Sequence, residues 1–261
     1  MFEILEPNKY ITVVKIPLLD ILNIDVLQSI QPREFMSNVI SRLKIKPNFI
    51  INGGLFKMLD GKTLSTVQDE GKLISKNLCS NFGMYVDKMG EIGFELFKEN
   101  TYRDFIGGSP SLVIDSRVNM DIKGLDSGFI LNKHPRSALG MSKTHFFLVT
   151  IDGRRIGKHG MDCKQLANFM LVLGCVNAIN LDGGGSTRLG QIINNRLAIL
   201  NNSTKNRAVA NFICVYLKKV PIKEEVKGYK VKNFAENRYL LLKSKIGSVF
   251  RKLKVKLSRK L

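Results

Sequence analysis

The sequence Asn180-Leu181-Asp182-Gly183-Gly184-Gly185-Ser186-Thr187 connects an apolar run to a loop of glycines and hydroxyls. The run begins at Val176 and has the composition of a buried strand. A strand that ends here places the Asp182 carboxylate at the edge of a sheet, with little side-chain bulk around it. Three glycines let backbone N–H groups approach a ligand closely and form an anion-binding concavity. A tight turn that needs Asp and Gly only for its geometry is the alternative.

Other segments place polar or glycine-rich turns at or near the ends of apolar runs. In chain order they are Phe49-Ile50-Ile51-Asn52-Gly53-Gly54, Gly107-Gly108-Ser109-Pro110, His134-Pro135-Arg136, Phe147-Leu148-Val149-Thr150-Ile151-Asp152-Gly153-Arg154 and Asn206-Arg207-Ala208-Val209-Ala210-Asn211. In this order and at these spacings, the set resembles the phosphodiester glycosidase family, from about Ile50 to Tyr216. The resemblance implies an α+β domain that hydrolyses the bond between an anomeric carbon and a phosphate.

Cleavage of such a bond needs cations that hold the phosphate and a carboxylate that acts on an oxocarbenium-like centre. Asp182 is the best candidate for the carboxylate. Arg136 and Arg207 are the best phosphate partners, because a planar guanidinium binds two phosphate oxygens. Asp152 either joins the site or turns a hairpin, since Asp-Gly is a strong turn signal. The predicted catalytic residues are Asp182, Arg136 and Asp152.

The remaining polar residues of these motifs are predicted to bind the substrate. They are Asn52, Gly53, His134, Arg154, Asn180, Gly183, Gly184, Gly185, Ser186, Thr187 and Arg207. Each has a structural alternative: Asp182 can cap a turn, and Arg136 can lie on the surface or in an ion pair at the edge of the core. For His134, a locally bonded ring is the alternative to proton transfer.

Cysteines and histidines give no sign of a metal site. Cys79, Cys163, Cys175 and Cys214 are widely spaced and lack a CxxC pair, so we predict reduced thiols in or near the core. The three histidines do not have a metal-ligand spacing. No cofactor is predicted. A hydrated divalent ion beside Asp182 stays an open alternative, although one carboxylate is little support for it.

Length and patterning predict one large domain followed by a tail. The domain covers residues 1–219, with the motifs at 50–216, and the tail covers 220–261. Strands dominate, so we predict an α+β fold, a strand-rich domain with a mixed sheet core and a few packed helices. Expected elements are strands at 10–16 and 209–217, a hairpin at 83–98, a helix opened by residues 32–35 and a helix from Asp162 to Gly174.

The predicted helix after Asp162 lies between two strands, which end at Asp152 and Asp182. If those strands were parallel neighbours, a right-handed crossover would bring both carboxylates to one edge of the sheet. This arrangement is an expectation from chain order alone.

The tail carries 13 Lys and Arg against 3 Glu, a net +10 of the total +19. Apolar residues recur at helical spacing between Tyr239 and Leu257, with cations on the other faces. An anionic membrane surface bound through 239–261 and docking on the domain are equally favoured alternatives. Nucleic acid is less favoured, because no nucleic-acid motif accompanies the charge. The N-terminus lacks a basic signal region and no apolar run is long enough to span a bilayer, so we expect a cytoplasmic location, with peripheral membrane binding through the tail as an open alternative.

The sequence leaves three functions to be separated. The first is a hydrolase that cuts the glycosyl–phosphate bond of a sugar-1-phosphate diester. The second is a protein that binds a sugar phosphate or nucleotide without turnover. The third is a phosphodiesterase that cuts the P–O bond.

Overall fold

We describe the fold from a computed structural model of the chain. The structure describes residues 1–77, 80–119, 126–154, 160–202 and 205–218. The predicted amphipathic tail, Cys79, Arg155 and His159 therefore lie outside the described residues. No helix in the described ranges is both long and apolar enough to span a lipid bilayer.

The described part of the chain contains three α-helices and is otherwise rich in strands. The helices are α1 (Met36–Arg42), α2 (Ser127–Leu131) and α3 (Cys163–Val172). Helix α3 begins as predicted, because the Asp162 carboxylate accepts the Gln165 N–H and the Gln165 side chain accepts the Asp162 N–H in return. It is followed by Gly174 at φ +88°. Helix α1 begins one residue after Phe35, which is its exposed N-cap residue.

Strands are numbered β1 to β17 along the chain and form three sheets. The seven-stranded sheet has the order β1 (Glu3–Asn8), β2 (Ile11–Pro17), β13 (His145–Ile151), β12 (Arg136–Met141), β14 (Asn177–Asn180), β10 (Ser111–Ile114) and β11 (Arg117–Val118). The second sheet has the order β16 (Arg196–Ile199), β15 (Leu189–Ile193), β4 (Phe49–Asn52), β17 (Asn211–Leu217) and β3 (Ile21–Gln28). The third has the order β6 (Lys72–Ser75), β5 (Val67–Asp69), β9 (Tyr102–Gly107), β7 (Phe82–Asp87) and β8 (Ile92–Leu96).

The largest apolar core contains residues from all three sheets. Leu139 and Leu148 of the first sheet pack in one cluster with Ile213 of the second and Met84 of the third. The opposite face of the first sheet packs on α3, and α1 covers the outer face of the second sheet. Burial of apolar surface in these layers stabilises the fold and fixes the strand ends that carry the polar motifs.

Two expectations about strand direction need correction. Every strand pair in the described residues is antiparallel, so the predicted mixed sheet is wrong. The strands that precede Asp152 and Asp182 are not neighbours, because β12 lies between them. Since β12 is antiparallel to both, β13 and β14 still run in the same direction. The carboxyl ends of β13 and β14 therefore lie at the same edge of the sheet, as expected. The topology differs from the expected one, because the two strands are not neighbours.

Three of the four cysteines confirm the predicted core positions. Cys163, Cys175 and Cys214 are free thiols, and all three are buried. Burial raises the pKa of the Cys163 thiol to about 11 and that of Cys175 to about 12. Neutral, buried thiols of this kind are inert packing groups.

Candidate active site

The ends of four strands meet at one edge of the first sheet. In the register, Arg136 at the start of β12 pairs with Ile151 at the end of β13. Two residues further along β12, Ala138 pairs with Asn180 at the end of β14. The start of β10 lies next to β14, with Ser111 opposite Ile179. This edge collects the motifs that are far apart in the sequence.

The loop after β14 is held by backbone hydrogen bonds to two other motifs. The Asp182 N–H donates to the Gly53 carbonyl at 3.0 Å, which ties the loop to the end of β4 in the second sheet. The Gly184 N–H donates to the Pro135 carbonyl at 2.9 Å, which ties it to the residue before Arg136. The loop therefore bridges two sheets and has a defined conformation.

Glycine is required at two positions of this loop. Gly184 has φ +61°, a left-handed conformation that side chains rarely adopt. A Cβ at Gly185 would lie 2.7 Å from Nη2 of Arg207, and one at Gly184 would lie 3.2 Å from Nη1 of Arg154. Two guanidinium groups therefore lie against the backbone of the loop, and the left-handed conformation of Gly184 favours glycine there.

Asp182 is a half-buried carboxylate next to these arginines. Burial raises the pKa of Asp182 to about 6, while the Ser186 hydroxyl, the Gly183 N–H and the charges of Arg207 and Arg154 act in the opposite direction. The Gly183 N–H donates to Oδ1 at 2.9 Å. The Asp182 carboxylate is therefore mostly ionised at neutral pH, yet close to the range in which it takes up a proton.

The guanidinium groups of Arg154 and Arg207 have no carboxylate partner within ion-pair distance among the described residues. Arg154 is exposed and has φ +58°, and its Nη2 lies 3.3 Å from Nδ1 of His134. Arg207 is half-buried. Two cations that lack a counter-ion beside a glycine loop form a suitable site for an anion such as a phosphate diester.

Arg136 lies at the start of β12, and its predicted phosphate contact stays a prediction. Its side chain is completely buried, and Nε donates to the Met161 carbonyl at 3.0 Å. Nη2 donates to the carbonyls of Phe129 at 2.5 Å and Asn132 at 3.1 Å, and the guanidinium lies over the Phe129 ring. Burial lowers the pKa of this group from its usual value. These hydrogen bonds tie α2 and the segment at Met161 to the sheet edge.

Asp152 is also placed in a supporting position. Its carboxylate accepts hydrogen bonds from the Asn201 side chain at 3.1 Å and from the Asn202 N–H at 3.0 Å. The Asp152 side chain is buried, and the backbone N–H of Asp152 donates to the Tyr10 carbonyl. Asp152 thus fixes the segment after β16 rather than turning a hairpin, and a catalytic role for it stays a prediction.

Asn52 connects three parts of the site through its side chain. Nδ2 donates to the Asp182 carbonyl at 2.8 Å, while Oδ1 accepts from the Ser137 hydroxyl at 2.7 Å and from the Arg188 N–H at 3.1 Å. Since the side chain is buried and all these bonds are internal, Asn52 supports the loop. The Gly53 backbone does the same, because its N–H donates to the Asn211 carbonyl.

Three other predicted binding side chains are buried in the same region. Asn180 donates through Nδ2 to the Ser109 carbonyl at 2.7 Å, and its Oδ1 has no hydrogen-bond partner in the part of the chain that the structure describes. Within the described ranges, the Thr187 hydroxyl has no hydrogen-bond partner, and the Ser186 hydroxyl interacts with Asp182 only outside normal hydrogen-bond geometry. These side chains have almost no exposed surface, so direct contact with a substrate stays a prediction for them.

His134 lies at the open side of the site, half-buried beside Arg154. Burial and the nearby charges of Arg136 and Arg154 lower the pKa of His134 below its usual value. The ring is therefore neutral at pH 7 and suited to accept or share a hydrogen bond rather than to supply a positive charge.

Sequence reasoning missed three residues that complete the site. Arg188 follows the loop directly, and its Nη1 lies 3.5 Å from the Lys205 carbonyl in the segment that carries Arg207. Asn201 anchors Asp152, and Asn211 accepts the Gly54 N–H through Oδ1 at 2.7 Å. Arg188 directly precedes β15, Asn201 lies after β16 and Asn211 begins β17, and a polar residue at a strand end is a weak signal in isolation.

The described residues contain no group of three or more His, Cys, Asp or Glu arranged to hold a metal ion. Asp182 and Asp152 each make hydrogen bonds with protein donors instead. We therefore derive no step that passes through a metal.

The chain is similar in sequence to several known proteins. N-acetylglucosamine-1-phosphodiester alpha-N-acetylglucosaminidase from Mus musculus is 27% identical over 167 residues, which cover 56% of this chain and 32% of the mouse protein. The Homo sapiens protein of the same name is 29% identical over 167 residues, with the same shares covered. The chain spans about a third of the length of these relatives. The SPbeta prophage-derived protein YomE of Bacillus subtilis is 40% identical over 67 residues, 24% of this chain and 10% of that protein.

Solved structures share the fold. The zebrafish N-acetylglucosamine-1-phosphodiester alpha-N-acetylglucosaminidase catalytic domain, described as auto-inhibited by its pro-peptide, superposes with a TM-score of 0.62 at 22% identity and covers 84% of this chain and 82% of that chain. A hypothetical protein from Synechocystis superposes with a TM-score of 0.66 at 16% identity. The match covers 84% of this chain and 61% of that chain. The family model described as phosphodiester glycosidase matches residues 46–216. The chain belongs to the phosphodiester glycosidase family.

Proposed function

We propose that this protein hydrolyses the glycosyl–phosphate bond of a sugar-1-phosphate diester. The observation that carries the proposal is the half-buried Asp182 carboxylate on the glycine loop, with two guanidinium groups against the same loop that form no ion pair among the described residues. Family membership supports a hydrolase that acts on this class of diester. The sugar and the group on the other side of the phosphate are not defined by these features.

In the proposed reaction, Arg154 and Arg207 hold the phosphate. The bond between the anomeric carbon and the phosphate oxygen breaks, and its electron pair stays on the phosphate, which is already a stable anion. Water adds its oxygen to the anomeric carbon and loses a proton to Asp182 or to solvent. The Asp182 carboxylate stabilises the positive charge that develops on the sugar, attacks it, or activates this water. In each version the ionised form is the active one.

The pH dependence follows from the pKa of Asp182, which is about 6 in the folded protein. Because the ionised carboxylate is active, we expect kcat/KM to fall as the pH decreases through about 6 and to be level above it. A pH–rate profile on a cleaved diester measures this decrease in kcat/KM. A profile that stays flat from pH 7 to pH 4.5, in a protein that remains folded, would contradict the assignment.

The arginine pair predicts a loss of phosphate affinity. Arg207→Gln and Arg154→Gln each remove a charge-assisted hydrogen-bond donor, so we expect about 10-fold to 100-fold weaker binding of a phosphomonoester product. Arg207→Lys should recover only part of the affinity, because an ammonium cannot form the two-pronged contact. Isothermal titration measures these constants.

Arg196→Gln is the matched control for the arginine variants. Arg196 is exposed and pairs with Ile193 at the far end of the β15–β16 hairpin from the glycine loop. If all three Gln variants bind the product alike, the phosphate site lies elsewhere.

A panel of sugar-1-phosphate diesters tests the proposal itself. Mass spectrometry of the products separates a free sugar plus a phosphomonoester from a sugar-1-phosphate plus an alcohol. We expect the first pair for at least one diester, and none of it with Asp182→Asn. The second pair would identify a phosphodiesterase, and tight product binding without turnover would identify a binding protein.

A further inference from the structure

A hairpin continues the chain beyond β4 and exposes two large apolar side chains. The hairpin closes through a backbone bond from the Lys57 N–H to the Lys62 carbonyl at 2.8 Å. At its tip, the Leu59 side chain is 93% exposed and Met58 is 50% exposed. Gly53, at the base of the hairpin, accepts the Asp182 N–H. The hairpin therefore extends directly from the backbone that holds the candidate active site.

A third exposed apolar side chain lies on the same surface. Ile30, in the segment after β3, is 74% exposed. This segment contacts the hairpin, because Nη1 of Arg33 donates to the Met58 carbonyl at 2.8 Å. Both segments line one cleft of about 440 Å³. We call Ile30, Met58 and Leu59, together with Arg33, Lys57 and Lys62, the hairpin patch.

Exposed apolar residues are ordinary when they are scattered, and several others occur in the described residues. The hairpin patch differs because Met58 and Leu59 project from one turn, and Ile30 lies on the neighbouring segment that Arg33 bonds to this turn. A neighbouring group of this kind marks a surface that contacts another apolar phase.

The charges around the patch favour an anionic occupant. Lys57 and Lys62 flank the tip on both sides and are exposed, and Asp60 is the only acid between them. Arg33 adds a third cation at the base of the patch. Residues 1–219, without the tail, carry 28 Lys and Arg against 19 Asp and Glu, a net charge of +9, so a negatively charged surface is attracted and a basic one is repelled.

We propose that the hairpin patch docks on an anionic phospholipid surface, with Leu59, Met58 and Ile30 inserted among the acyl chain ends and the lysines at the headgroups. Apolar insertion flanked by cations is the usual form of binding at a membrane interface. Each cation near such a surface strengthens binding about fivefold. The proposal does not rest on the proposed hydrolysis, nor on the tail, whose membrane contact stays a separate prediction outside the described residues.

The test uses the absence of tryptophan from this chain. Leu59→Trp in the full-length protein places a single fluorophore at the tip of the patch. Met89→Trp is the matched control, because Met89 is 88% exposed at the turn of the β7–β8 hairpin. The turn at Met89 differs in charge from the turn at Leu59, because Asp87 and Glu91 flank Met89. Each variant is mixed with vesicles of phosphatidylcholine alone or with phosphatidylglycerol added, at low salt.

We expect Leu59→Trp emission to shift to shorter wavelength only with phosphatidylglycerol, and lipids brominated on the acyl chains to quench it. Met89→Trp emission should not change, even if the tail carries the protein to the vesicles. Adding Lys57→Glu and Lys62→Glu to Leu59→Trp should raise the lipid concentration needed for half the shift about tenfold or more.

Three outcomes would overturn the proposal. In the first, Leu59→Trp emission stays unchanged with phosphatidylglycerol vesicles, whether or not the protein sediments with them. In the second, both tryptophan variants shift equally. In the third, Leu59→Trp shifts with protein concentration in the absence of lipid, which would identify the patch as a contact between two copies of the chain. Circular dichroism of each variant confirms that it is folded.

Discussion

Asp182→Asn is expected to lower kcat on a cleaved sugar-phosphate diester by about 10²-fold or more while the protein stays folded. The change is isosteric and removes the negative charge that the proposed transition state needs. The Gly183 N–H can still donate to the side-chain oxygen, so the loop retains this bond. Single-turnover kinetics separate the loss of the chemical step from a change in substrate binding.

The stability of the same variant distinguishes a catalytic carboxylate from a structural one. The pKa of Asp182 is about 6 in the folded protein against an ordinary value of 3.8. Between these values the folded state binds more protons than the unfolded state, so ionisation destabilises the fold as the pH rises from 4 to 6. Asp182→Asn should therefore have an equal or higher Tm at pH 7.5, with a smaller difference near pH 4.5. A large drop in Tm, or an unchanged kcat, would assign Asp182 a structural role.

Arg136→Ala is expected to destabilise the fold rather than weaken phosphate binding alone. The guanidinium supplies hydrogen bonds to the carbonyls of Phe129, Asn132 and Met161, and its loss leaves buried acceptors and a cavity. A buried acceptor without a partner costs about 1–3 kcal/mol. We therefore expect the free energy of unfolding to fall by roughly 3 kcal/mol, with a lower Tm and faster proteolysis near α2.

Two conservative variants sharpen this result. Arg136→Met keeps most of the volume without the donors, and Arg136→Lys keeps a charge that reaches fewer carbonyls. Both should unfold at a lower temperature than the parent, Arg136→Lys by the smaller amount. If Arg136→Lys has the parent's Tm and a raised KM, Arg136 contacts the phosphate directly, as the sequence first suggested.

The difference between the predicted and observed role of Arg136 has a simple geometric cause. Successive residues of a strand point to opposite faces of the sheet. Arg136 shares the face of Ala138 and Gly140, which packs on α3, whereas Ser137 points to Asn52 between the sheets. A sequence motif identifies where a strand ends. It does not identify the face of the sheet on which a side chain lies, because pairing with the neighbouring strands sets the register.

The parts of the site that could be predicted depend on local rules. The Asp182 loop follows from an apolar strand and three glycines, and the start of α3 follows from the Asp162 cap. The position of β12 between β13 and β14 could not be predicted, since it depends on long-range pairing that chain order does not encode. The roles of Asn201 and Asn211 could not be predicted either, because they rest on single side-chain hydrogen bonds between distant segments.

The position of an ¹⁸O label tests the central proposal most directly. The diester identified in the panel is cleaved in H₂¹⁸O, quenched early, and both products are analysed by mass spectrometry. Cleavage between the anomeric carbon and the phosphate oxygen predicts ¹⁸O in the released sugar, none in the phosphomonoester, and no labelled product with Asp182→Asn. Label in a phosphate product would contradict the proposal, because water would then have attacked phosphorus.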